Sequence, residues 1–167
     1  MKKYFFLIAL TSVLTLGCDN EEESVICSCS QDVDVYFYTD SLLTEGVAVP
    51  NAFSPNYDGV NDLFYVYGTG ISSLSVVVKD GSTIVFQTIN QNNGWDGTVN
   101  GNVPACQTFD YVVDAVLSSG TTKHFEGTVT IYTSTPCPDN LMNCVFPNTF
   151  DGSGFNPSFT NGETFNC

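Results

Sequence analysis

Apolar and polar residues alternate along most of this chain with a period of two. From Asp32 to Tyr38, Val33, Val35 and Phe37 fall on one face and Asp34, Tyr36 and Tyr38 on the other, the pattern of a strand. Leu63–Tyr67 reads the same way. Leu74–Lys79 and Thr83–Ile89 flank Asp80-Gly81-Ser82, and Asp-Gly between two such runs predicts a hairpin. Thr108–Leu117 and Lys123–Tyr132 form a second pair around Ser118-Ser119-Gly120-Thr121. Beyond the first residues no stretch carries a helical period. Short β-branched and aromatic runs separated by Gly, Pro and Asn predict an all-β fold, an antiparallel β-sandwich over 32–133.

The ends break this pattern. Lys2 and Lys3 precede an apolar run from Tyr4 to Leu16, which closes on Leu14-Thr15-Leu16-Gly17-Cys18. A positive start, a short apolar core and a small residue before a cleavage point describe an export leader over 1–17. The run is too short for a membrane-spanning helix, which takes about 20 apolar residues. Its ending resembles a bacterial lipobox, which implies a lipid on Cys18 and attachment to a membrane without crossing it. Asp19, Asn20, Glu21, Glu22 and Glu23 follow, a solvated acidic tether within 18–31. This run is also similar to the surface-export signal of lipoproteins in the phylum Bacteroidota.

Charge narrows the partners. Two of the 4 basic residues lie in the leader and all 18 acidic residues lie beyond it, and the chain contains no Arg. Such a balance disfavours nucleic acid and anionic lipid surfaces and leaves no bidentate clamp for phosphate. Of 7 cysteines, Cys18 is assigned to the lipid. Cys27, Cys29, Cys106, Cys137, Cys144 and Cys167 remain, an even set that in an exported chain predicts disulfides of open connectivity. Zinc is disfavoured because the spacing lacks the short paired motifs of known sites.

The tail, 134–167, is rich in Asn, Gly, Pro and Phe without strand alternation. Phe146, Phe150, Phe155, Phe159 and Phe165 recur there. They either pack on their own sandwich under disulfide staples, or Phe146, Phe150, Phe155 and Phe159 form an aromatic contact surface for a partner protein.

Candidate chemistry is sparse. His124 is the only His and has no accompanying nucleophile motif, so enzymatic activity is not expected. Asp58, Asn61 and Asp62 offer hard oxygen atoms around Asp58-Gly59, but not in the spacing of an EF-hand. They admit two readings: a turn closed by side chain-to-backbone hydrogen bonds, or a structural calcium site. No other cofactor is indicated. Trp95, Tyr36, Tyr38, Tyr65 and Tyr67 either fill sandwich faces or offer stacking surfaces to sugars.

The segment Val49-Pro50-Asn51-Ala52-Phe53-Ser54-Pro55-Asn56-x-Asp58-Gly59-Val60-Asn61-Asp62-x-Phe64 resembles the opening of the gliding motility-associated C-terminal domain. That is the type B sorting domain of type IX secretion in Bacteroidota. Gly94-Trp95-Asp96-Gly97-Thr98 with Gly101 and Val103-Pro104 is similar to its second block. Phe109, Tyr111, Val112 and Val113 stand at its aromatic strand, and Gly127-Thr128-Val129-Thr130-Ile131 at its last. The resemblance implies an immunoglobulin-like sandwich. Lys79-Asp80-Gly81-Ser82 stands where the family has an Asn-Arg-Trp-Gly hairpin, and the cysteine-bearing tail extends past the family's usual end. With no cargo upstream, the expectation is that the sorting role is lost and the fold kept. Asp40-Ser41-Leu42 resembles an O-glycosylation site of the phylum, with Ser41 the acceptor.

The sequence therefore predicts a non-enzymatic, lipid-anchored outer-membrane protein exposed at the cell surface. It would contact outer-membrane or surface proteins within a gliding, type IX secretion or β-barrel assembly machine. The alternative is a carbohydrate-binding or adhesive module.

Overall fold

The computed structural model describes residues 29, 34–39, 44–133, 144–147, 150–151 and 154–155. Among the described residues ten strands follow one another: β1 (Asp34–Thr39), β2 (Thr44–Val49), β3 (Ala52–Phe53), β4 (Tyr67–Thr69), β5 (Ile71–Asp80), β6 (Thr83–Thr88), β7 (Gln107–Leu117), β8 (Thr122–Ile131), β9 (Phe150–Asp151) and β10 (Gly154–Phe155). One sheet runs β1-β2-β4, a second β3-β8-β7-β5-β6, and β9 pairs with β10.

The central strand β7 shows how sequence produces this layering. Phe109, Tyr111, Val113, Ala115 and Leu117 point inward and are buried, and Thr108, Asp110 and Asp114 alternate outward. Val76 and Val78 of β5, Val129 and Ile131 of β8, and Val47 and Val49 of β2 enter the same core. Both sheets thus close over one apolar layer, where each fully buried large side chain contributes about 1.5–3 kcal/mol. This establishes an all-β architecture of two sheets; the immunoglobulin-like connectivity is a finer statement, carried by the resemblance alone.

Two expectations need correction. The fold is not wholly antiparallel: β3 runs parallel to β8, with Ala52 opposite Thr130 and Phe53 opposite Ile131. The cause is Pro50-Asn51, which interrupts β2 and carries the chain across to the edge of the other sheet. Leu63–Tyr67 is not a continuous strand either. Phe64 makes an isolated bridge to Trp95, and β4 begins only at Tyr67.

Strand β2 was not expected at all, and its burial explains why. Every residue after Thr44 is buried. Val47 and Val49 face the main core, whereas Ala48 packs with Val145 and Phe150 of the tail. A strand covered on both faces has no polar face to alternate with.

Candidate functional site

Residues 51–62 are organised by their own polar side chains. Asn51 is fully buried. Its backbone carbonyl accepts from the Thr130 N–H at 2.9 Å, its N–H donates to the Val145 carbonyl at 3.1 Å, and its Oδ1 accepts from the Val145 N–H at 2.6 Å. One asparagine therefore joins the last long strand to the tail. Beyond it, the Ser54 N–H donates to the Asn61 carbonyl and closes a loop. Inside the loop Asn56 Oδ1 accepts from the Asp58 N–H, and Asp58 Oδ1 from the Val60 N–H. The Asp62 carboxylate accepts from the N–H groups of Tyr57 at 2.6 Å and Gly59 at 2.8 Å. Tyr57 and Asn61 sit at positive φ, conformations that these local bonds hold in place. The Asp58 and Asp62 carboxylates are thus engaged with the loop's own backbone, the geometry of the turn reading. Among the described residues no group of three His, Cys, Asp or Glu is placed to hold a metal.

The loop's apolar ends meet Trp95. Phe64 and Trp95 exchange two backbone hydrogen bonds, at 2.9 and 2.8 Å. The Trp95 ring is buried, lies 5.5 Å from Phe53 and meets Phe109 edge-on at 4.9 Å, and its Nε1–H donates to the Thr98 carbonyl. Asp96 Oδ1 accepts from the Thr98 N–H, and Gly97, at positive φ, sits against Phe53, Pro55 and Ile131. The two sequence blocks, distant along the chain, are one aromatic cluster with one polar turn on each side.

Residues 47–131 match the model of the CHU_C type IX secretion signal domain family. The chain belongs to this family. No curated protein and no solved structure matches it. Membership implies export through the type IX system to the cell surface. The expectation of a lost sorting role gains no support from it, since the match spans both blocks and the strands from β2 to β8.

What surrounds the CHU_C domain is a clasp. Cys29 and Cys144 form a disulfide. The Tyr132 hydroxyl lies 3.5 and 3.3 Å from the two sulfurs, positioned to donate to them, and burial pushes its pKa up to about 12. Tyr132 packs with Ala52 and Phe146. Cys106 is also disulfide-bonded and packs on this cluster. Phe146 and Phe150 are buried, so the contact-surface reading is corrected for both: they seal the chain's own sandwich. The side chain of Phe155 lies outside the described residues. So do Phe159, Cys18, the acidic run Asp19–Glu23, Cys27, Cys137, Cys167 and Ser41.

Burial likewise removes Trp95 from any sugar-stacking role. Tyr36 is half-buried under the Lys123 ammonium, 3.4 Å from its ring centre, and Tyr38 is exposed. Tyr65 and Tyr67 stack at 5.3 Å between two clefts of about 380 and 460 Å³. Burial and a hydrogen bond with Tyr67 push the Tyr65 hydroxyl up to about 12. His124 stands exposed on β8, its Nδ1 2.6 Å from Asp114 and its Nε2 3.3 Å from Glu126.

Sequence reasoning missed Glu45. It is buried at 1% exposure, and its carboxylate accepts from the Ser119 N–H at 3.1 Å and the Ser119 hydroxyl at 2.6 Å. The only signal was a lone acid at the head of Gly46–Val49. Its effect is to fasten β2 to the β7–β8 turn.

Proposed function

We propose that this chain is a non-enzymatic, lipid-anchored outer-membrane protein, exposed at the cell surface. It acts as a protein–protein interaction subunit of an outer-membrane machine for gliding, type IX secretion or β-barrel assembly. The observation that carries the reading is the presence in one chain of a CHU_C domain over 47–131 and a leader whose ending at Cys18 resembles a lipobox. The first supplies the surface address, the second supplies attachment. The Cys29–Cys144 disulfide and the Asn51 bonds tie the flanking segments to the domain, as a structural subunit requires. Purification of a tagged form in mild detergent is expected to recover stoichiometric outer-membrane barrel proteins, and a Cys18→Ser variant to lose membrane attachment. Recovery of the free chain alone would count against the reading.

The second reading, a carbohydrate-binding or adhesive module, rests on the Tyr65–Tyr67 pair and its flanking clefts. Amide groups of Gln91 and Asn92 border one cleft and supply hydrogen-bonding capacity beside the rings. A glycan array probed with wild type and with Tyr65→Ala tests it; a blank array removes it.

A further inference from the structure

The Tyr65–Tyr67 pair stands between two clefts rather than inside one. Leu63, Tyr65 and Tyr67, alternate residues of one segment, line both the cleft of about 380 Å³ and that of about 460 Å³. Each has the size of an ordinary small-ligand site. Leu63 is 40% exposed and both tyrosines are half-buried, so the three form an apolar ridge that reaches solvent. Polar groups fixed from behind border the ridge on each side. On the first, Gln91 Nε2–H donates to the Gly68 carbonyl at 2.9 Å and so holds its amide in place. Among the described residues the Gln91 Oε1 accepts from no group, which leaves it for a ligand hydroxyl. On the second side, Asp62 accepts the Tyr57 and Gly59 N–H groups on separate carboxylate oxygens. Each oxygen has two lone pairs, so acceptor capacity remains there too. Among the described residues neither cleft is lined by Lys or His, and the chain has no Arg.

We infer that this ridge takes an uncharged oligosaccharide laid across Tyr65 and Tyr67, with sugar units in both clefts. This rests on the second reading above and gives it a ligand class and a binding mode. The rings offer an apolar seat to the carbon-bound hydrogens of a sugar ring, and the amide and carboxylate oxygens accept from its hydroxyls. Uronic or sulfated sugars are excluded by charge. Their anions would lie beside Asp62 with no cation to pair them, on a chain of net charge −14. An extended peptide is excluded by the backbone. Strand β4 is the edge of its sheet, but the Gly68 carbonyl that a new strand would need is already taken by Gln91.

NMR titration of the isotope-labelled full chain in detergent tests this. The probes are cellohexaose, mannohexaose and xylohexaose, each beside its own monosaccharide, with a galacturonic acid hexamer and decaproline as further arms. At least one neutral hexamer is expected to shift the amides of Gln91 and Asn92 on one side and of Gly59 and Val60 on the other. It should bind about tenfold or more tighter than its monosaccharide, because a second cleft is filled without a second association. Tyr65→Ala is expected to weaken binding by about tenfold or more. Gln91→Leu, which keeps much of the side-chain volume, should weaken it by about threefold to tenfold. Thermal unfolding checks that each variant is folded. If no sugar binds, or decaproline shifts these amides in place of sugars, the proposal and the carbohydrate reading fall together. A galacturonic acid hexamer bound as tightly as the neutral ones, a monosaccharide bound as tightly as its hexamer, shifts confined to one cleft, or indifference to either substitution in a folded variant overturns the proposal alone.

Discussion

The ring of Tyr111 on β7 lies across Gly127, its register partner on β8. A Cβ at Gly127 would stand 2.5 Å from the tyrosine oxygen and 2.7 Å from Cζ. The ring has no room to retreat, because it is buried and its hydroxyl donates to Asp34 on β1 at 2.8 Å. Burial and that bond both raise the hydroxyl's pKa. Gly127→Ala is therefore expected to destabilise the domain by about 1–3 kcal/mol, the usual cost of overpacking. Urea unfolding measures it. Tyr111→Phe in the same background, which relieves the closest contact, should recover part of the loss.

Asn51 offers a sharper test of how the tail is held. Asn51→Ala deletes the acceptor for the Val145 N–H and leaves a buried donor unsatisfied, an effect of about 1–3 kcal/mol. The loss should be local. Hydrogen exchange at the Val145 amide is expected to accelerate while the β7–β8 amides keep their protection. Uniform acceleration would show that the tail and the sandwich unfold together.

Removing the Cys29–Cys144 bridge reaches further, because it joins residues 115 apart in sequence. Replacing both by Ser is expected to cost about 2–4 kcal/mol, read as a lower midpoint in denaturant. Peptide mapping without reductant should find the Cys29 and Cys144 peptides linked.

His124 provides the pH prediction. Its hydrogen bond to Asp114, and then that to Glu126, raise its pKa above the ordinary value of 6.5. A pKa raised in the folded state means the protonated ring is favoured by folding. Its contribution is fully present below about pH 6.5 and is lost as pH rises through the folded pKa. An NMR titration of the imidazole is expected to show the raised value, and Asp114→Asn to bring it down. An unshifted titration in the wild type would contradict the ion pairs.

The parts of this fold legible in sequence are those with one wet face. Strands β5 and β7 alternate because one side meets the core and the other meets water or is less covered, and Asp80-Gly81 marks its hairpin plainly. Strand β2 was illegible because the tail dries its outer face, a long-range fact that no local period records. The parallel β3 was hidden for a similar reason: two residues carry no period, and only the Pro50-Asn51 crossing explains them. At the candidate site the motif residues were found by resemblance, yet their roles came from geometry. Asp58 and Asp62 turn inward to their own backbone, and Trp95 is a core residue. Glu45 could not be assigned, since its partner Ser119 belongs to a turn with no special sequence.

The Cys29–Cys144 bond has a mechanical consequence. It closes a covalent ring around residues 30–143, which contain strands β1 to β8. Tension applied between the chain before Cys29 and the chain after Cys144 passes through the two sulfurs. Both sheets lie off that load path, so a pull along the tether stretches the connections to the domain and leaves its core unloaded.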